Sequence, residues 1–184
     1  VVSATDVRSA TKEQVESLGG KFIMVEDEES TNAETDGGYA KEMSDEYKKK
    51  QAKLIAETIA KQDIVICTAL IPGKTAPVLI SQEMVETMAS GSVVVDLAVE
   101  AGGNCPLSKL GEVVDHNGVK VIGYANVPGR VAKDASALYA KNIFNFLSLI
   151  IDKENKKITF NWEDEIVNAV VLTNDGKLRL EQFN

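Results

Sequence analysis

The segments that decide the fold are Ile64-Val65-Ile66-Cys67 and Ser92-Val93-Val94-Val95-Asp96, two short apolar runs on either side of a helix predicted from Ser81 to Met88. Uninterrupted Val and Ile runs that alternate with amphipathic helices are typical of a parallel sheet covered on both faces. The sequence therefore predicts an α/β fold with a doubly wound parallel sheet. It also predicts that the strand Ile64–Cys67 is buried on both faces.

The same alternation extends outward from these two strands. Thr11 and Gln14 have the spacing of a capping box and predict a short helix that stops at Gly19-Gly20. Ser44 predicts the cap of a longer helix from Asp45 towards Lys61. Three further strands are predicted in this portion of the chain: Val1 to Thr5, Lys21 to Val25 and Val119 to Tyr124.

The texture of the sequence changes in its last third. A helix with one apolar face is predicted from Asp134 to Ile151. It is followed by three predicted short strands, with Asn174-Asp175-Gly176 as a hairpin turn before the last of them. These strands are Lys157 to Phe160, Ile166 to Thr173 and Leu178 to Leu180. The tail is therefore predicted to belong to a second structural unit.

Composition and charge exclude several classes of function. The 184 residues carry 28 acidic and 20 basic side chains, for a formal net charge of −8. This balance argues against binding to nucleic acids or anionic membranes, which requires clustered cations. Two cysteines and one histidine, His116, are too few for a disulfide framework or a structural zinc site, so no metal is expected. An apolar setting for Cys67 suits a reducing, intracellular compartment.

Asp6 is the first candidate binding residue, because it follows the predicted strand Val1 to Thr5. An acid at the end of a strand accepts hydrogen bonds from the adenosine ribose hydroxyls in dinucleotide-binding folds, and its charge repels a 2′-phosphate. The alternative is that Asp6 caps a loop or pairs with Arg8. Arg8 itself is expected either to stack on an adenine face or to form a surface ion pair.

The glycine-rich turn that binds phosphates in such folds is missing. No two glycines lie two positions apart, so the pattern G-x-G-x-x-G does not occur. That turn precedes the ribose acid by about 20 residues, which would place it just upstream of Val1. The chain also begins in a strand-like run without Met. We therefore expect an upstream segment of the same protein to supply the first strand and the turn.

Three further segments are candidates for ligand contact. Tyr39 follows Gly37-Gly38 at the end of an acidic connection and is expected either to close over a ligand or to pack on its own helix. Thr68 to Gly73 follows a predicted strand at its carboxyl end, where open α/β sheets bind ligands. Glu100 follows the next strand and is the best-placed candidate acid or base.

Several longer stretches resemble one enzyme family in order and spacing, and the match covers nearly the whole chain. The family is the NAD(H)-binding component, the alpha subunit's domain I, of proton-translocating NAD(P) transhydrogenase. The stretches that carry this resemblance are ATDVR (4–8), KEQVESLGGKF (12–22), GGYAKEM (37–43), TALIPGK (68–74), GSVVVDLAVEAGGNC (91–105) and NVPGR (126–130).

The resemblance implies an architecture and a set of partners. Residues 1–130 would form a Rossmann-like NAD-binding domain without its first strand and glycine turn, and residues 131–184 would return to a first domain outside this chain. The component would be a peripheral, soluble homodimer on the cytoplasmic side of the inner membrane, or on the mitochondrial matrix side. Its partners would be an NADP(H)-binding domain and a membrane proton-channel domain.

The resemblance also implies site residues. Asp6, Val7 and Arg8 would contact the adenosine side of NAD(H), with Asp6 on the ribose. Gly38 and Tyr39 would belong to a mobile loop that closes on the nucleotide, with Met43 on its far side. Thr68, Ala69 and Leu70 would line the cofactor cleft. Hydride passes directly between NAD(H) and NADP(H) while protons cross the membrane, so no catalytic acid or base is expected.

Two alternatives remain. Alanine dehydrogenase resembles the same segments, but in that family the position of Glu100 is an Asp with an active-site role, and VEAGGNC follows the transhydrogenase pattern instead. The remaining dehydrogenase residues would lie upstream of this chain. A non-catalytic NAD-binding or regulatory module is the second alternative. Without the phosphate-binding turn, the isolated chain is expected to bind NAD weakly or not at all, and micromolar binding by the chain alone would count against that expectation.

Overall fold

A computed structural model describes residues 1–8, 10–25, 44–71 and 73–179, with Ala10 described by its backbone alone. The chain divides into two compact units, Val1–Ala125 and Asn126–Asn184. Gly38, Tyr39 and Met43 lie outside the described residues, so the predicted closing loop stays a prediction.

The described residues of the first unit form two sheets. Strands β1 (Ser3–Ala4) and β2 (Lys21–Phe22) pair in parallel. The second sheet has the order β3-β4-β6-β5. Its members are β3 (Ile64–Cys67), β4 (Val93–Asp96), β5 (Val113–His116) and β6 (Val119–Ile122).

The larger sheet is parallel in its first three strands. Ile64 of β3 lies opposite Val93 of β4, and Val93 in turn lies opposite Lys120 of β6. Strand β5 pairs antiparallel with β6. The alternation of strands and helices did not predict β5, because a tight turn at Asn117 and Gly118, both with positive φ, joins it directly to β6.

Three helices connect the strands of the first unit: α1 (Ala10–Ser17), α2 (Asp45–Ile59) and α3 (Gln82–Glu86). The Ser44 side chain accepts a hydrogen bond from Tyr47 N, and the Ser81 side chain accepts one from Met84 N. Both satisfy a backbone N–H that the first helical turn leaves without a partner. The predicted start of α2 is thereby confirmed, and α3 is shorter than predicted.

Helix α2 contributes to both apolar clusters of this unit. At its start, Tyr47 is buried against Val7 and Val25, next to the smaller sheet. At its end, Ile59 is buried in the main core with Val94 and Val121, next to the larger sheet. Burial of such side chains contributes about 1.5–3 kcal/mol each.

The prediction that β3 is buried on both faces is wrong for the described residues. Cys67 is buried, but Ile64 and Ile66 are 65% and 62% exposed. Strand β3 is at the edge of the larger sheet, and its outer face is not covered. An apolar run predicts a buried strand only where another layer packs on that face.

The described residues of the second unit form one long helix, two short helices and two short hairpins. Helix α4 (Val127–Arg130) leads into α5 (Ala132–Ile150). Strands β7 (Ile151–Asp152) and β8 (Lys157–Ile158) form the first hairpin. Helix α6 (Glu165–Val170) precedes the second hairpin, which β9 (Thr173–Asn174) and β10 (Lys177–Leu178) form.

The prediction of a strand from Ile166 to Thr173 is wrong over most of its length, because α6 occupies this segment. The Asp164 carboxylate accepts a hydrogen bond from Val167 N at 3.0 Å and caps the helix. A short apolar run does not distinguish a strand from a helix by its period alone. The predicted turn is confirmed, since Asp175 and Gly176 both have positive φ, as this two-residue hairpin requires.

The predicted apolar face of α5 is largely exposed within its unit. Leu138 and Phe144 are 70% and 62% exposed, while Ile150 at the end of the helix is buried. Among the described residues, no helix has both the length and the apolar character that crossing a membrane requires.

Candidate functional site

The carboxyl end of β1 presents a paired carboxylate. Arg8 Nε donates to Asp6 Oδ1 at 3.0 Å and Arg8 Nη2 donates to Asp6 Oδ2 at 2.7 Å, while Arg8 N also donates to Oδ1 at 2.9 Å. Burial raises the pKa of Asp6, but the bonds from Arg8 outweigh burial and hold that pKa below its ordinary value. The alternative in which Asp6 pairs with Arg8 is thus present in the structure.

The pair leaves some of the carboxylate accessible. The Asp6 side chain is 29% exposed and the Arg8 side chain 35%. Each carboxylate oxygen can accept more than one hydrogen bond, so pairing with Arg8 leaves acceptor capacity for hydroxyl donors. Val7, between them, packs against the buried Tyr47 and fixes the backbone from which both side chains project.

The second predicted group follows β3. Thr68 and Leu70 are exposed and Ala69 is half-buried. None of the three side chains carries a charge. They form a small, mixed polar and apolar surface at the carboxyl end of a parallel strand, the position at which α/β sheets bind their ligands. Asp6–Arg8 and Thr68–Leu70 belong to different sheets, each at the carboxyl end of a strand.

Asn104 organises this strand end, and no pattern in the sequence singled it out. Its Oδ1 accepts a hydrogen bond from Ala69 N at 3.1 Å, and its Nδ2 donates to Ala69 O at 2.9 Å and to Pro77 O at 2.7 Å. The side chain is fully buried. Asn104 therefore holds both backbone polar groups of Ala69 and connects the segment after β3 with the segment after β4.

Asp96, the last residue of β4, is buried beneath Asn104. Its Oδ2 accepts hydrogen bonds from Asn104 N at 2.8 Å, Cys105 N at 3.1 Å and Ser108 Oγ at 2.6 Å, and its Oδ1 accepts from Ala98 N at 2.9 Å. A buried carboxylate requires such donors to offset the loss of hydration. The one sequence signal for Asp96 is its place as a polar residue at the end of an apolar strand.

Glycine is required beside this carboxylate. Gly103 has φ +84°, and a Cβ at this position would lie 2.8 Å from Asp96 Oδ2. Gly102 also has positive φ, at +103°. These conformations are costly for other residues. Two glycines thus let the chain turn close enough for Asn104 N to reach Asp96.

Glu100, the candidate acid or base, and two other polar residues, Asn126 and His116, lie elsewhere in the structure. Glu100 is the exposed residue of a short 3-10 turn, Val99–Ala101, in the first unit, in which Val99 is buried. Asn126, in the second unit, caps α4 with its own side chain, which accepts a hydrogen bond from Gly129 N. His116 lies on β5, where its Nε2 is 3.0 Å from Glu86 Oε1. Among the residues with described positions, no cluster of three or more His, Cys, Asp or Glu side chains could hold a metal ion.

The family model and the curated relatives that match this chain point to the same family. The family described as "Alanine dehydrogenase/PNT, C-terminal domain" matches residues 1–181. An NAD(P) transhydrogenase alpha-subunit protein of Rhodospirillum rubrum is 60% identical over 178 residues, and the corresponding protein of Rickettsia prowazekii is 45% identical over 178 residues. Both alignments cover 97% of this chain, but only 46% and 45% of the relatives.

A solved structure agrees with the sequence relatives. The crystal structure of transhydrogenase from Sinorhizobium meliloti superposes with a TM-score of 0.73 at 52% identity, over 97% of this chain and 45% of that chain. L-alanine dehydrogenase superposes with a TM-score of 0.59 at 22% identity, which shows a shared fold alone. The predicted α/β fold class and the predicted resemblance to transhydrogenase are both confirmed. The chain belongs to the alanine dehydrogenase/PNT C-terminal domain family.

Proposed function

We propose that this chain is the NAD(H)-binding portion of a proton-translocating NAD(P) transhydrogenase. In this proposal, hydride passes directly between NAD(H) on this chain and NADP(H) on a partner domain, and membrane partner domains couple the transfer to proton translocation. The observation that carries the proposal is the 60% identity with a transhydrogenase alpha subunit, which extends over 97% of the chain.

The same observation favours transhydrogenase over alanine dehydrogenase. Alanine dehydrogenase 1 of Staphylococcus aureus is 36% identical over 103 residues, or 54% of this chain. The resemblance puts Glu100 where the dehydrogenase family would carry an active-site Asp, and here the Glu100 side chain is exposed. Oxidative deamination would need groups that manage protons at the substrate, whereas hydride transfer between two nicotinamides needs none.

The residues at the two strand ends fit a nicotinamide dinucleotide. The Asp6 carboxylate is ionised, partly exposed and able to accept hydrogen bonds from ribose hydroxyls. Its charge opposes a 2′-phosphate, which supports NAD(H) on this chain. The small uncharged side chains of Thr68 and Ala69 and the exposed Leu70 allow a flat ring to approach.

In this proposal, the chain's own residues position the dinucleotide and exclude water from the site of hydride transfer. The bound nicotinamides supply the hydride chemistry. Asp6 and Arg8 would hold the adenosine side, with Val7 in the same contact, and Thr68, Ala69 and Leu70 would line the cleft. Gly38 and Tyr39 would close over the nucleotide. We assign no catalytic acid or base.

The remaining partners also belong to the proposal. The chain spans slightly less than half the length of its transhydrogenase relatives, and the apolar face of α5 is exposed within its unit. Both observations support a first domain of the same protein that packs on residues 131–184, while residues 1–130 form the NAD-binding domain. That first domain would also provide the phosphate-binding turn. The component would act as a homodimer at the cytoplasmic or matrix side of the membrane.

The proposal is tested with the full-length protein mixed with an NADP(H)-binding transhydrogenase component. We expect NADPH to reduce an NAD analogue in this mixture, and we expect no activity when either component is omitted. Alanine with NAD is the matched assay for the competing enzyme. Oxidation of alanine by the full-length protein alone, without transfer between the nucleotides, would contradict the proposal.

A further inference from the structure

A network of hydrogen bonds at the carboxyl ends of β3 and β4 leads from the buried interior to the surface. It begins at Asp96, passes through Asn104 and ends at the backbone of Ala69. Asp96 and Asn104 are both fully buried, whereas Ala69 is half-buried and its neighbours Thr68 and Leu70 are exposed. The interior of the protein is thus connected by side-chain hydrogen bonds to the strand end at which the cofactor is proposed to bind.

We propose that Asp96 and Asn104 are positioning residues for the nicotinamide dinucleotide, acting through Ala69. This inference rests on the proposed function, because it assigns the segment Thr68–Leu70 to the cofactor cleft. Neither positioning residue is accessible to a ligand. Their effect on binding is therefore transmitted through the place and orientation of the Ala69 peptide groups.

The contact of Asn104 with Ala69 suits this role geometrically. The amide side chain makes one bond to Ala69 N at 3.1 Å and one to Ala69 O at 2.9 Å, which fixes the peptide groups on both sides of this residue. A strand end after its last ladder bond has no neighbouring strand to fix it. Here, one asparagine side chain replaces that neighbour.

Asp96 fixes Asn104 in turn. Its Oδ2 accepts from Asn104 N at 2.8 Å and from Ser108 Oγ at 2.6 Å. The backbone carries a parallel link, since Leu97 N donates to Cys67 O at 3.0 Å directly before Thr68. With Ala98 N on Oδ1 and Cys105 N also on Oδ2, four donors hold the Asp96 side chain in place.

The test measures the NADH dissociation constant of the full-length protein and its Asn104→Leu and Val121→Ala variants. Val121 is fully buried in the core of β6, so its truncation lowers stability without touching the network. We expect Asn104→Leu to raise the dissociation constant about tenfold, because both hydrogen bonds to Ala69 are lost together with the one to Pro77 O. Val121→Ala is expected to leave the constant within about twofold at a similar loss of thermal stability.

Asp96→Asn is the second variant, in case Asn104→Leu does not fold. It is isosteric but replaces one of the two acceptor oxygens by an NH2 donor, which meets a backbone N–H at either position. We expect an increase of about fivefold in the dissociation constant. The two changes act on one path, so the double variant should bind NADH about as weakly as the weaker single variant.

The outcomes separate the two proposals. Wild-type protein that binds NADH, together with variants that bind it as well as Val121→Ala does, would overturn the positioning role and leave the proposed function standing. If the losses of NADH binding free energy in the double variant were additive, Asp96 and Asn104 would not act through the same contact with Ala69. Wild-type protein that does not bind NADH would overturn both proposals.

Discussion

Arg8 meets the Asp6 carboxylate at two points, with Nε 3.0 Å from Oδ1 and Nη2 2.7 Å from Oδ2. The pair keeps the carboxylate ionised and oriented at the carboxyl end of β1, while 29% of the Asp6 side chain remains exposed. A carboxylate held in this way could accept hydrogen bonds from ribose hydroxyls without a change in its side-chain conformation. In the proposed function, this pair is the feature of the described residues that would decide between NAD(H) and NADP(H).

Asp6→Asn is expected to raise the NADH dissociation constant of the full-length protein about tenfold. A hydrogen bond to a charged acceptor is worth about 1.5–3 kcal/mol, and the amide keeps only a fraction of it. The variant should also narrow the preference for NADH over NADPH, since the charge opposing the 2′-phosphate is gone. Isothermal titration with both nucleotides measures the two effects.

Asp115→Asn is the matched control for this change. Asp115 also forms an ion pair, with Lys120, and its pKa is likewise lowered by a hydrogen bond from that lysine, but it lies on the β5–β6 hairpin. This variant should leave the affinities for both nucleotides unchanged. If Asp6→Asn and Asp115→Asn behave alike, Asp6 does not contact the ribose.

The effect of Asp6 on binding should not depend on pH near neutrality. Burial raises the pKa of this carboxyl, but the bonds from Arg8 bring it below its ordinary value of 3.8, so the group is ionised at all higher pH values. The ratio of NAD⁺ dissociation constants for Asp6→Asn and wild type should be constant from about pH 5 to 8 and should narrow only below about pH 4. A midpoint near pH 6 would contradict this assignment.

Much of the fold could be predicted from the sequence, because the signals were local. The strand Ile64–Cys67 and the start of α2 after Ser44 agree with the structure. Helix α6 was predicted as a strand, since six residues are too few to show a period. Exposure of Ile64 and Ile66 was not predictable either, because it depends on what packs against β3 and not on the strand itself.

The candidate site also has a part that the sequence predicts and a part that it does not. Asp6 and Thr68–Leu70 follow predicted strands, and the structure places them at strand ends. The role of Asn104 depends on a contact with Ala69, 35 residues away in the sequence. No local pattern encodes such a pairing; only the parallel register of β3 and β4 brings these segments together.

Neither cysteine of this chain should react in the folded protein. Burial, the charge of Asp96 and the nearby Cys105 raise the pKa of Cys67 to about 12, and burial also raises the pKa of Cys105. Only about 10⁻⁴ of Cys67 would be thiolate at about pH 8, and the thiolate is the reactive form. Alkylation followed by peptide mass spectrometry should label both only after unfolding. Rapid labelling of Cys67 in the native protein would show that the strand end opens.

The stabilities of the Gly103→Ala and Gly111→Ala variants together measure how tightly the backbone at Gly103 packs against Asp96. Both glycines have similar positive φ, +84° and +81°, but a Cβ meets Asp96 Oδ2 at 2.8 Å only at Gly103, whereas nothing lies within 4 Å at Gly111. Gly111→Ala should lower the free energy of unfolding by about 1 kcal/mol through backbone strain. Gly103→Ala should lower it by about 2–4 kcal/mol, since overpacking adds to the strain.

Denaturant unfolding of the two glycine variants gives both values in one series. NADH binding by Gly103→Ala should also weaken, because displacement of Asp96 is passed through Asn104 to Ala69. Equal destabilisation by the two substitutions would contradict the tight packing around the carboxylate.

The central claim is that this chain holds NAD(H) for direct hydride transfer, without an acid or base of its own. The most direct measurement uses NADPH deuterated at the transferred position of the nicotinamide, with the full-length protein, the NADP(H)-binding component and an oxidised NAD analogue. We predict that the deuterium appears in the reduced analogue and that none is lost to water. Loss of the label to solvent, or no transfer between the nucleotides, would contradict the claim.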